Sequence, residues 1–195
     1  LAGFDLPMIM STGMATLEEV TEAVDAIHEE RSRQGFHAEL AEKLTVLHCT
    51  SNYPAAAHEV NLRAMATIAE ATRLPVGYSD HTLGSTVTVA AVAMGATVIE
   101  KHFTIDRTLP GPDHRASLEP GELEALIGSI RETEIALGSS VKGPSEAELA
   151  VRAVARRSVC LARDVFAGDV LVASDLVLVR PGTGIAPKYR DDLGG

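Results

Sequence analysis

Residues 75–102 read PVGYSDHTLGSTVTVAAVAMGATVIEKH, and this stretch decides the fold. It runs from an apolar segment, Pro75-Val-Gly-Tyr-Ser79, through a polar turn into a helical pattern over about 85–94. It leaves through a second apolar segment, Ala96-Thr-Val-Ile-Glu-Lys-His102. Two strand-like runs joined through a helix form a parallel pair with a right-handed crossover, because antiparallel neighbours need only a short turn. Val76 to Tyr78 and Val98-Ile99 give each run an apolar centre, as strands of a buried parallel sheet have.

The same unit recurs outward in both directions. Upstream, Leu6-Pro-Met-Ile-Met10 leads through Ser11-Thr-Gly13 into a helix from about Thr16, where Glu19 completes a capping box. Leu17, Val20, Val24 and Ile27 follow at helical spacing. Leu44-Thr-Val-Leu-His-Cys49 leads through Pro54 into a helix near 59–71. Downstream, a long loop after His102 reaches a helix over 120–137, with Pro120 at its first turn. This βαβα alternation predicts an α/β architecture with a parallel sheet. A doubly wound sheet and an arc of a barrel share the pattern, and periodicity does not separate them. A closed eight-unit barrel needs about 250 residues, more than the 195 present.

At Gly138-Ser-Ser-Val-Lys-Gly-Pro144 the texture changes to a linker. A short helix fits 145–155, with Ser145 as its cap, and brief β-like pieces follow at 158–162, 170–172 and 176–179. Three parts are expected: 1–138, a linker over 139–156, and the start of a small β-rich domain over 157–195.

Bulk composition narrows the function classes. Hydrophobic residues are 46% and charged residues 23%, a globular composition rather than a disordered one. The net charge is −10. From Gly143 onward Lys/Arg and Asp/Glu balance at seven each, so the first 142 residues carry the whole excess. Such a surface repels nucleic acid and anionic lipid, and neither is expected as a partner. No apolar run reaches the 18 or so residues of a membrane helix. The first ten residues lack a basic start and a small-residue cleavage site. Cys49 and Cys160 both lie in apolar runs and read as buried, unpaired thiols of a reducing cytoplasm.

In parallel α/β architectures ligands bind at the carboxyl ends of the strands. The residues there are Ser11-Thr-Gly13, His48 to Pro54, Ser79-Asp-His-Thr82, Glu100-Lys-His-Phe-Thr104 and the Pro110-Gly-Pro-Asp-His114 loop. His81 and His102 end successive strands and are candidates to meet at one rim. Two neutral imidazoles there can ligate a divalent metal and leave positions open for substrate. The bland alternative, a capping or core histidine bonded to a backbone carbonyl, is the commoner outcome for such spacing. Ser11, Thr12 and Ser79 are short donors suited to phosphate or carboxylate oxygens, or to helix capping. Asp113 sits in a stiff loop and can face sugar hydroxyls or merely close a turn. Tyr53 is a rim aromatic or a loop anchor. Glu100 shares the His102 side of its strand by period-two alternation. His48 reads as a packed strand residue.

These segments together resemble the N-acetylneuraminate (sialic acid) synthase family. The resemblance lies in Met10-Ser-Thr-Gly-Met14, Leu47-His-Cys-Thr50 with Tyr53-Pro54, Gly77-Tyr-Ser-Asp-His-Thr82, Glu100-Lys-His-Phe-Thr104 and Pro110-Gly-Pro-Asp113. It continues into Arg157-Ser158, Asp164, Gly168 and Arg180-Pro-Gly-Thr-Gly184, which resemble the start of the family's antifreeze-like (SAF) domain. The resemblance implies the second half of a (β/α)8 TIM barrel followed by an incomplete SAF domain. It implies a bacterial, cytoplasmic transferase of carbohydrate biosynthesis that condenses phosphoenolpyruvate with N-acetylmannosamine or a related N-acyl amino sugar. The products are a nine-carbon keto acid sugar and phosphate.

By the same resemblance His81 and His102 match metal ligands for Mn2+ or Mg2+, and Tyr53 and Asp113 match sugar contacts. Ser79 and Ser11 match serines that bind phosphoenolpyruvate. Ser51 stands where some members have a ligand-contacting asparagine, and Asn52 is its neighbour. Glu100 remains a weaker candidate. The family's phosphoenolpyruvate-binding lysines and an early glutamate belong to barrel strands that no segment here matches. Leu1 and Gly195 are therefore expected to be cut ends, the chain to be inactive alone, and the intact protein to be a homodimer. Legionaminic, pseudaminic and spore-coat sugar synthases of the same family are the alternatives, together with an inert metal- or sugar-binding piece.

Overall fold

The computed structural model describes residues 1–193, and the last two positions of the expected small domain, Gly194 and Gly195, lie outside the described residues. The chain divides into two compact units, Leu1–Gly138 and Ser139–Gly195.

The first unit alternates strands and helices: β1 (Met8–Ser11), α1 (Leu17–Arg33), a single turn α2 (Leu40–Lys43), β2 (Leu44–Cys49), α3 (Ala64–Thr72), β3 (Val76–Asp80), α4 (Thr86–Ala93), β4 (Ile99–Lys101) and α5 (Pro120–Leu137). The four strands are all parallel and lie in chain order, β1-β2-β3-β4. This order resolves what periodicity left open. A doubly wound sheet reverses direction once and covers both faces, whereas an unbroken order with right-handed crossovers puts every helix on one face.

The side chains agree. Met8, Met10, Leu44, Val46, Val76, Tyr78 and Ile99 alternate onto one face and pack against Val20, Val24, Met65, Ile68 and Ala91 of the helices. On the other face Ile9 is 60% exposed, and Ser11 and Glu100 are also exposed. The unit is an arc of parallel sheet with helices outside, a half-barrel.

Several boundaries differ from the expected ones for local reasons. β1 starts at Met8, because Pro7 has no N–H to give the ladder. The helix expected from residue 59 starts at Ala64. Asn61 takes a left-handed conformation (φ 50°), and its side-chain amide donates to the Glu59 carbonyl at 3.2 Å, an alternative to helix bonding. β4 is shorter than expected. Its pairing still extends upstream, with Thr97 N–H donating to Val76 at 2.9 Å and Tyr78 N–H to Val98 at 2.8 Å.

The second unit holds α6 (Glu146–Ala155), β5 (Ser158–Leu161) and β6 (Leu176–Val179), the last two paired antiparallel. Residues 170–172, expected as a strand, are not one. The Asp175 carboxylate accepts the Val172 N–H at 3.1 Å and so takes a donor that a ladder would need. Cys160 is exposed rather than buried, whereas Cys49 is buried, and both thiols are free. No helix of the described residues is long and apolar enough to cross a membrane.

Candidate active site

Chemistry collects where the strands of the first unit end. β3 stops at Asp80 and places His81 directly after it, and β4 stops at Lys101 and places His102 directly after it. Asp80 and Lys101 are register partners, so the two histidines leave the sheet side by side. Their rings stand edge to face with centroids 5.3 Å apart. Tyr53, from the loop after β2, lies over both, 4.1 Å from the His81 ring and 5.5 Å from that of His102. Asp113, from the loop before α5, brings a carboxylate oxygen to 3.9 Å from His102 Nδ1. These four side chains line one cavity of about 380 Å3, with Leu83 and Pro112 as apolar wall.

The tautomer of His81 follows from its partner. Nδ1 lies 2.9 Å from the Thr50 carbonyl oxygen, which can only accept, so Nδ1 carries the proton and donates it. Nε2 then keeps its lone pair. This is the arrangement in which a histidine ligates a metal, its second nitrogen fixed by a backbone carbonyl. Among the described residues no group of three or more His, Cys, Asp or Glu side chains is set to hold an ion. The two adjacent imidazoles of His81 and His102 are the nitrogens that an open site would use, whereas a closed structural site takes four protein ligands.

Electrostatics tune the cavity wall. Loss of solvent, followed by the negative charge available at Cys49, Asp113 and Glu100, holds the Tyr53 phenol above its ordinary value. Tyr53 is thus a neutral O–H donor at pH 7. Arg115 adds a permanent positive charge to the lining. Sequence reading missed it. A 3-10 turn over His114–Ala116 turns it to the same cavity as Asp113, and two-residue spacing from Asp113 was the only signal.

The remaining candidates sit elsewhere. Ser79 is buried on β3 and its hydroxyl donates to Glu100 Oε1 at 2.6 Å, so these two candidates hold one another across neighbouring strands. Ser51 packs beside Cys49 and against Gly13, where a Cβ would run into its hydroxyl oxygen. Ser11 is exposed at the end of β1. Asn52 is turned away, its amide donating to Glu59 Oε2 at 3.2 Å. Thr12 donates to the Leu47 carbonyl at 2.9 Å and is buried. The His48 ring donates through Nε2 to the Val60 carbonyl at 2.6 Å.

Comparison with known proteins adds a family, two curated relatives and a solved structure. The NeuB family matches residues 1–142. An N,N'-diacetyllegionaminic acid synthase of Legionella pneumophila is 52% identical over 190 residues, 97% of this chain and 52% of the relative. One of the same name from Campylobacter jejuni is 42% identical over 195 residues, 100% of this chain and 56% of the relative. The chain spans about half the length of the curated relatives it matches. Among solved structures, the N-acetylneuraminic acid synthetase of Leptospira borgpetersenii, in complex with citrate, superposes with a TM-score of 0.64 at 33% identity. The match covers 77% of this chain and 49% of that one.

Proposed function

Because this chain belongs to the NeuB family, we propose that the full-length protein condenses phosphoenolpyruvate with an N-acyl amino sugar. The observation that carries the reading is the cavity at the strand ends, where Tyr53, His81, His102 and Asp113 converge. The enol carbon of phosphoenolpyruvate bonds to the aldehyde carbon of the open-chain sugar. Water adds to the carbon that bears the phosphate, the bond from that carbon to the phosphate oxygen breaks and inorganic phosphate leaves, so one water is consumed for each keto acid sugar formed.

His81 Nε2 and the His102 ring would hold a divalent ion, Mn2+ or Mg2+. When bound, such an ion supplies Lewis acidity that polarises a carbonyl oxygen. The chain's own residues bind and orient. Tyr53 donates from its neutral phenol to a sugar oxygen, and the Asp113 carboxylate accepts from a sugar hydroxyl. Arg115 offsets the acidic surroundings and pairs with a carboxylate or phosphate of the substrate. Ser11 and Ser51 are the hydroxyl donors for phosphoenolpyruvate, whereas the single proton of Ser79, the third serine expected there, goes to Glu100.

High identity to two relatives named for diacetyllegionaminic acid supports a 2,4-diacetamido sugar as the acceptor, over the N-acetylmannosamine type. Pseudaminic and spore-coat sugar acids are the related products. From Gly143 on the second unit lies beyond the family match; its Arg180–Gly184 turn supports reading it as the opening of an antifreeze-like domain. A homodimer is the assembly this reading carries.

The test is phosphate release by the full-length protein from phosphoenolpyruvate with a panel of 2-acetamido and 2,4-diacetamido sugars, the products weighed by mass spectrometry. The expected result is a nine-carbon keto acid formed fastest from a diacetamido sugar. Phosphate release with none of the panel overturns the reading.

A further inference from the structure

We propose that the buried Asp80–Lys101 ion pair is a positioning device for His81 and His102, fixing the two imidazoles in the geometry that holds a divalent ion. This rests on the reading of the cavity as a metal centre given above.

The pair occupies the last shared rung of the β3–β4 ladder, and each member is followed directly by one of the histidines. Its side chains are 0% and 5% exposed. Lys101 Nζ donates to Asp80 Oδ2 at 2.9 Å and to the Thr82 carbonyl at 2.7 Å. Asp80 Oδ1 accepts from the Thr82 N–H and hydroxyl, both at 2.8 Å, and from the Tyr78 hydroxyl at 3.3 Å. Its Oδ2 also accepts from the Thr88 hydroxyl of α4. Residue 81 is thereby clamped on both sides. The residue before it belongs to the ion pair, and the residue after it is tied to the pair by three bonds. The bond from His81 Nδ1 to Thr50 fixes the ring from a third direction.

Stability alone does not explain such a pair. Taking two charges out of water is costly, and well-packed apolar side chains of similar volume hold a structure together as well or better. A buried pair is best explained by the arrangement it enforces, and here that is strand register. A slip of one residue between β3 and β4 would carry His102 to the opposite face of the sheet. The pair also closes the turn in which His81 sits. Neither Asp80 nor Lys101 needs to touch substrate for this role, and each acts through the backbone of its neighbours.

The experiment is Mn2+ binding by the full-length protein, read by electron paramagnetic resonance of the free ion well below each variant's melting temperature. Four variants are compared: His81→Ala, Lys101→Met, Lys101→Arg and Thr88→Val. Lys101→Met is expected to weaken Mn2+ binding about tenfold or more, the effect typical of losing a group that orients a ligand. Thr88→Val removes one donor to Asp80 and weakens binding less, while Lys101→Arg keeps the charge and recovers most of the affinity. Lower melting temperatures with Mn2+ affinity unchanged in Lys101→Met and Thr88→Val overturn the proposal. Should Lys101→Met fail to fold, Thr88→Val decides alone. Loss of binding in His81→Ala alongside full binding in the other variants keeps the metal centre and removes only the positioning role. A parent protein that binds no Mn2+, or binds it as well after His81→Ala, removes both.

Discussion

Gly77 shows how tightly the middle of the sheet is built. A Cβ there would collide with the Val98 backbone carbonyl and the Leu47 side chain, and the carbonyl cannot yield because it accepts from Tyr78 N–H. Gly77→Ala is therefore expected to cost about 1–3 kcal/mol, an overpacking penalty visible as a lower Tm in thermal denaturation. Asp175 gives a pH-dependent counterpart. The Arg163 guanidinium, 2.6 Å away, holds its carboxyl below the ordinary aspartate value of 3.8. A carboxyl with a depressed folded value stabilises above its unfolded value and loses that contribution as pH falls through the folded one. The Tm deficit of Asp175→Asn should be constant from neutral pH into mild acid and vanish below the ordinary carboxylate range. A deficit that persists in strong acid would contradict this. Placement was legible where a residue directly follows a strand, as with His81 and His102 at one rim, while Tyr53, in the loop after β2, stayed open between a rim aromatic and a loop anchor. It was not where side chains chose partners. The Ser79 hydroxyl went to Glu100, and Asn52 went to Glu59, choices that depend on distances between loops.

Elements were legible in proportion to their local signals. α1 begins at a capping box in which Thr16 Oγ1 accepts from Glu19 N–H at 3.3 Å and Glu19 Oε2 accepts from Thr16 N–H at 2.7 Å. Thr16→Ala should cost about 1 kcal/mol, measured by chemical denaturation, and Thr16→Asn much less. α5 runs over Pro120–Leu137 as its proline and periodicity foretold. Failures came where a side chain competes with the backbone. Asn61 and Asp175 each capture a main-chain partner and cut an element short. Arg115 escaped notice because a 3-10 turn delivers it, and such turns have no strong sequence signature.

Across the whole chain, the half-barrel leaves β1 and β4 as sheet edges and exposes Ile9 on its bare face. Open edges and apolar faces promote association. The 195-residue chain produced alone should self-associate in size-exclusion chromatography, and a monodisperse monomer would count against this. Strand order separated a barrel arc from a doubly wound sheet, and that order was out of reach of periodicity. It is also what sets the two histidines on neighbouring strands and so carries the functional reading. The most direct test is metal-dependent phosphate release by the full-length protein with His81 or His102 replaced by alanine. The account predicts that chelation abolishes turnover and Mn2+ restores it to the parent protein, while neither variant recovers with added ion. Turnover that survives chelation and both substitutions would contradict it.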